Sequence, residues 1–152
     1  MKVKKHILIV DDVTTNLKCL GEILKSEYSL SMAKSGEQAL TMIKKIKPDL
    51  VLLDVKMPGM DGYETFECIK KIPECADVPV IFLTALGTEN DIVEGYEIGA
   101  DEYITKPFST KLLLLKINAL IKRYQGLMVT SGRIVVRSQR RFISPSPSGI
   151  RP

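Results

Sequence analysis

The chain has 152 residues, 45% hydrophobic and 26% charged, the size and balance of one soluble globular domain with a real core. No apolar run approaches the roughly 20 residues that a helical membrane span needs, so no transmembrane helix is expected. The net charge of +4 is uneven: residues 1–125 hold 17 of the 22 Lys+Arg and all 18 Asp+Glu, a net of −1, whereas residues 126–152 hold five arginines and no acid, so the basic character says nothing about the main domain.

Five short apolar runs alternate with helical patterns. The basic stretch Lys2 to His6 leads into Ile7-Leu8-Ile9-Val10, and two aspartates stop this run too early for a signal peptide. Residues 6–10 therefore read as a first strand, and the cytoplasm is the expected compartment. A helix over 14–26 carries Leu17, Leu20 and Leu24 on one face, with Ile23 beside them. A second strand over 28–32 alternates somewhat and suits a sheet edge. Ser35 with Gln38 three residues on forms a capping-box pattern before a helix over 36–46, and Pro48 marks its end.

The third strand, 49–53, is wholly apolar after Asp49 and runs directly into Asp54. A turn rich in Gly and Pro follows, then a helix that starts at Asp61 with Glu64 three residues on and is stopped by Pro73. The fourth strand spans 78–83. A helix over 89–98 has Thr88 as N-cap and Gly99 as its C′ residue. A fifth strand at 101–104 precedes a helix over 110–124 capped by Ser109. Its inward stripe is Leu113, Ile117, Leu120 and Ile121. Leu112, Leu115 and Ala119 fall on a neighbouring face, read equally well as a broad core face or as a sticky output surface.

Five βα units in a row call for an α/β fold, a doubly wound parallel sheet with helices on both faces. Ligands of such sheets bind beyond the carboxyl ends of the strands, at the switch point in strand order. Asp11, Asp12, Asp54, Thr84 and Lys106 all fall at or just after such ends. Three neighbouring carboxylates repel one another, and one lysine offsets a single charge. A hard divalent cation with oxygen ligands suits what remains, magnesium best of all, since it is commonly held by one or two carboxylates, waters and a phosphate. Cation, ammonium and hydroxyl together suit a phosphoryl group, with one aspartate as nucleophile.

Asp11-Asp12, the stretch LLDVKMPGMDG, VPVIFLTA and DEYITKPF together resemble the receiver domain of two-component response regulators, in the correct order and spacing across residues 4–124. The resemblance implies a (βα)5 flavodoxin-like three-layer sandwich with strand order 2-1-3-4-5. It implies that Asp54 is the phosphoacceptor, that Asp12 binds Mg2+ directly and Asp11 mainly through water, and that the backbone carbonyl of Lys56 completes the ligands. Lys106 would pair with one phosphoryl oxygen, and Thr84 with the N–H of Ala85 would hold another. Tyr103 matches the switch aromatic, and the bond to Pro107 would be cis. The implied partners are a histidine kinase or histidine phosphotransfer protein, and a homodimer mate or effector on the helix 4–strand 5–helix 5 face. Lys56 and Leu86 occupy positions that would tune the phosphoryl lifetime.

Other features carry less. Cys19, Cys68 and Cys75 are odd in number, lack C-x-x-C spacing and read as reduced thiols. His6 reads as packing or surface. Residues 126–152, with Ser144-Pro145-Ser146-Pro147-Ser148-Gly149, read as a basic, disordered tail or a remnant of truncation or cloning, and are too short for a DNA-binding output domain. Two other readings stand beside the receiver: a transcription regulator whose output domain is missing, and a haloacid-dehalogenase-type phosphatase. The latter needs D-x-D after its first strand, where this chain has Asp11-Asp12-Val13.

Overall fold

The computed structural model describes residues 3–85 and 88–131, with residues 125–131 given by backbone alone. Leu86 and the stretch 132–152 lie outside the described residues. The chain separates into two compact units, the second beginning at Leu115.

The first unit holds a five-stranded sheet in the order β2-β1-β3-β4-β5. Its strands are β1 (Lys5–Val10), β2 (Tyr28–Ala33), β3 (Leu50–Leu53), β4 (Val80–Thr84) and β5 (Glu102–Thr105), and every pairing is parallel. All four residues of β3 and all five of β4 are buried, as expected of strands covered on both faces. The chain pairs β1 with β2 on one side and returns to place β3 on the other, so strand order reverses between β1 and β3.

The helices are α1 (Thr14–Leu24), α2 (Gly36–Ile46), α3 (Gly62–Lys71), α4 (Glu89–Glu97) and α5 (Thr110–Ser131). Alternation along the strands divides the core between two faces. On one, Leu8, Val10, Val51, Leu53, Val80 and Phe82 pack with Ala39 and Ile43 of α2 and Phe66 and Ile69 of α3. On the other point Ile7, Ile9, Leu50, Leu52, Ile81 and Leu83, all buried, and α1 buries Leu17, Leu20 and Leu24.

The caps follow the sequence with one variation. Asp61 and Glu64 form a reciprocal capping box at α3, and Thr88 and Asp91 form another at α4. Ser35 accepts from Gln38 N–H, but the Gln38 side chain reaches past the cap to Lys34 N–H at 2.6 Å. Helix α2 ends before Pro48 is reached, because Lys47 turns left-handed at φ 46°. Gly99, at φ 103°, ends α4 as expected. Ser109 Oγ accepts from Leu112 N–H at the start of α5. That helix outruns its expected end near residue 124. Along it Leu113, Ile117, Leu120 and Ile121 are buried, and Leu112 and Leu115 are 52% and 57% exposed.

The three cysteines are free thiols. His6 is half-buried, with Nε2 2.8 Å from Ser31 Oγ. Among the described residues, no helix is long and apolar enough to cross a membrane.

Candidate functional site

The sheet ladder carries on for one residue past three strands and so fixes the site. Asp11 N–H donates to Ala33 C=O at 3.1 Å, Asp54 N–H to Val10 C=O at 3.0 Å and Lys106 N–H to Thr84 C=O at 2.8 Å. Backbone held in a ladder cannot drift, so the three side chains leave from a rigid edge at the strand-order switch point. Asp54 is held from behind as well. Gly62 N–H donates to Val55 C=O at 2.7 Å, and a Cβ on Gly62 would strike the Asp54 carbonyl oxygen and come within 2.7 Å of Val55 Cα. Only glycine lets α3 begin this close to the end of β3.

Asp11, Asp12 and Asp54 each present a carboxylate oxygen, and these oxygens lie within 4.8 Å of one another. Asp11 and Asp54 are buried and Asp12 is half-buried. Lys106 Nζ stands 3.2 Å from Asp11 Oδ2 and 3.9 Å from Asp54 Oδ2. Thr84 is buried, and its side chain hydrogen-bonds Asp54. Burial pushes the Asp54 carboxyl above the usual carboxylate range. The Thr84 hydrogen bond pulls the other way, the negative charge of Asp11 adds to the rise, and the Lys106 ammonium opposes it.

A dense set of oxygen donors with one ammonium fits a hard divalent cation of the magnesium kind. A bound cation would relieve the repulsion that these carboxylates exert on one another.

Tyr103 lies one layer away. Its buried ring packs against Phe82 with centroids 6.1 Å apart, and Phe82 belongs to the strand that ends in Thr84. The Tyr103 hydroxyl bonds that of Tyr63, and Tyr63 donates to the Asp91 carbonyl on α4 at 3.1 Å. Lys56 and Ala85 follow closely on Asp54 and Thr84 and are exposed. The Lys106–Pro107 peptide is cis.

Asn16 was absent from the sequence-level set. Its Nδ2 donates to Asp11 Oδ2 at 3.1 Å. The available signal is faint: an amide in the first turn of a helix that starts directly after the aspartates can fold back on them.

Comparison with known proteins agrees with this geometry. The family model described as the response regulator receiver domain matches residues 7–118. The probable transcriptional regulator ycf27 of Guillardia theta is 40% identical over 140 residues, covering 88% of this chain and 54% of that protein. The phosphate regulon transcriptional regulatory protein PhoB of Pseudomonas aeruginosa is 40% identical over 122 residues, covering 80% and 53%. This chain thus spans about half the length of these curated relatives. Among solved structures, the response regulator receiver domain protein from Methanospirillum hungatei JF-1 superposes with a TM-score of 0.75 at 32% identity, covering 81% of this chain and 98% of that one.

Proposed function

The chain belongs to the response regulator receiver domain family, and on that premise we propose that Asp54 accepts a phosphoryl group from a phosphohistidine donor. A single observation carries the proposal: Asp54 stands beside two further carboxylates within 4.8 Å, a lysine ammonium at 3.9 Å and a threonine hydroxyl.

An oxygen of ionised Asp54 attacks phosphorus in line with the donor nitrogen. The P–N bond breaks, its electron pair leaves with the imidazole, and an acyl phosphate remains on Asp54. Asp11, Asp12, Asp54 and the Lys56 carbonyl would hold Mg2+, which when bound supplies positive charge against the phosphoryl oxygens. Lys106 balances a second phosphoryl oxygen, and the Thr84 hydroxyl and Ala85 N–H donate to the third. Hydrolysis by water returns Asp54 and releases phosphate. The domain therefore catalyses changes to itself and turns over no external substrate beyond its donors.

The signal travels from Thr84 to Tyr103. Adding a dianion at Asp54 draws the Thr84 hydroxyl towards it and favours the arrangement in which Tyr103 is buried. Phosphorylation biases two arrangements that both exist beforehand. The listener would dock on the helix 4–strand 5–helix 5 face, where Val93, Tyr96 and Leu112 are exposed. A cytoplasmic setting suits a phosphohistidine donor and free thiols.

Incubation with Mg2+ and a small phosphodonor, followed by intact mass, tests the proposal. One added phosphoryl group is expected, and none with chelator. Steady turnover of a generic phosphate ester would instead favour the phosphatase reading. The names of the ycf27 and PhoB relatives, and their double length, favour one further reading: output on transcription through a DNA-binding domain beyond this chain. The genomic sequence after codon 152 tests it.

A further inference from the structure

We propose that Asn16 is a positioning residue for the metal site, fixing the Asp11 carboxylate so that Lys106 can leave it for the phosphoryl group. This rests on the phosphoacceptor reading of Asp54.

Three donors of the protein hold the Asp11 carboxylate. Its Oδ1 accepts from Val13 N–H at 2.9 Å. Its Oδ2 accepts from Asn16 Nδ2 at 3.1 Å and from Lys106 Nζ at 3.2 Å. A carboxylate oxygen has two lone pairs, so Oδ2 is saturated and Oδ1 keeps one pair free. The free pair belongs to the oxygen held by the backbone, which is the better-fixed of the two.

Lys106 divides its charge between Asp11 at 3.2 Å and Asp54 at 3.9 Å. A phosphoryl group on Asp54 replaces the single carboxylate charge with a dianion and draws the ammonium towards it. Asp11 then loses its charged partner. On Oδ2, Asn16 is the donor that stays, because it sits in the first turn of α1, on backbone tied by Asn16 N–H to Val13 C=O at 3.0 Å. With it, the carboxylate keeps its plane when Lys106 departs. Without it, the carboxylate turns about its Cβ–Cγ bond and the metal loses a fixed oxygen.

Helix capping does not account for Asn16. Capping needs a side-chain acceptor for free N–H groups, and this amide acts as a donor to a carboxylate. The N-cap of α1 is Val13, which has no side-chain cap bond. Asparagine is also a weak helix former, so helix stability alone gives no reason for it here.

The test uses wild type, Asn16→Ala and Asn16→Gln, the last keeping an amide donor. Three readouts are taken: Mn2+ affinity of the unphosphorylated protein from the electron paramagnetic resonance of free Mn2+, the Mg2+ concentration that half-saturates phosphorylation by acetyl phosphate, and melting temperature in chelator. Asn16→Ala is expected to weaken Mn2+ binding about tenfold, the low end of the effect of losing a hydrogen bond to a metal ligand. Its half-saturating Mg2+ should rise by a similar factor while the rate at saturating Mg2+ stays near wild type. Asn16→Gln should recover much of the affinity, and melting temperatures should agree across the three. Mn2+ affinity within twofold of wild type in Asn16→Ala would overturn the inference, as would equal losses in both variants or a loss that tracks melting temperature. If wild type itself takes no phosphoryl group, the phosphoacceptor reading has failed, whereas a phosphorylated wild type with indifferent Asn16 variants refutes the Asn16 role alone.

Discussion

The ring of Tyr103 lies against the bare backbone of Gly95 on α4: a Cβ there would strike Cδ2 and stand 2.6 Å from Cε2. The buried position of the aromatic therefore depends on a missing side chain in the neighbouring helix. Gly95→Ala sets two effects against each other. Helix propensity favours alanine by about 1 kcal/mol, and overpacking a filled site costs about 1–3 kcal/mol. Tyr103 is also bound through its hydroxyl to Tyr63 and packed against Phe82, so it cannot move aside without loss. Gly95→Ala should destabilise the domain in urea, and Gly95→Ala with Tyr103→Ala should be more stable than Tyr103→Ala alone. A stabilised single variant would show that the ring gives way freely.

Asp54 also sets a pH dependence. Its folded pKa lies above the ordinary value because burial disfavours the carboxylate. The folded state thus binds a proton more tightly than the unfolded state does, and stability falls as pH rises from the unfolded to the folded pKa. Above that window the ionised group carries the full cost. In metal-free buffer, Asp54→Asn should melt higher than wild type at neutral pH, and the gap should close as the pH falls below the ordinary aspartate range. Thermal melts across pH would contradict this if the variant melted lower at neutral pH.

The acidic cluster should bind magnesium in the folded state only, which raises melting temperature in proportion to the logarithm of concentration once the site is saturated. A thermal shift with Mg2+ is expected for wild type and should largely vanish in Asp12→Asn. A shift of equal size in that variant would move the cation elsewhere.

Gly62 ties fold to site. Alanine there meets backbone, the Asp54 carbonyl and Val55 Cα, and backbone cannot swing aside as a side chain can. Gly62→Ala should cost at least about 2 kcal/mol in urea and should weaken Mn2+ binding, since the β3 end must shift. Asp61→Ala, one residue earlier, removes only a cap and should cost about 1 kcal/mol with Mn2+ binding intact. Equal effects on the metal would show that Gly62 does not position Asp54.

The strand ends were legible because buried parallel strands write themselves as apolar runs, and a charge directly after such a run has one place to go. Asp54 after Leu50–Leu53 and Asp11 after Ile7–Val10 are of this kind. Local caps were legible for the same reason: Asp61 and Glu64 are three residues apart and meet within one turn. Gln38 shows the limit, since a side chain with spare reach chose Lys34 N–H over the nearer cap. Contacts between distant segments left no local trace. Gly95 carries no local mark of the Tyr103 ring that β5 brings against it, and Tyr63, which does pack against the core, carries none of its hydroxyl bond to α4. The partition of Lys106 between Asp11 and Asp54 is a matter of tenths of an ångström, beyond any pattern of residue types.

The central claim is chemical and local: one aspartate of three carries the phosphoryl group. Labelling with a small phosphodonor in Mg2+, reduction of the acyl phosphate with borohydride and peptide mass mapping reads the position directly. The account predicts homoserine at Asp54 in wild type, unmodified Asp11 and Asp12, and no label in Asp54→Asn. Label on Asp11 or Asp12 in wild type, or undiminished label in Asp54→Asn, would contradict it.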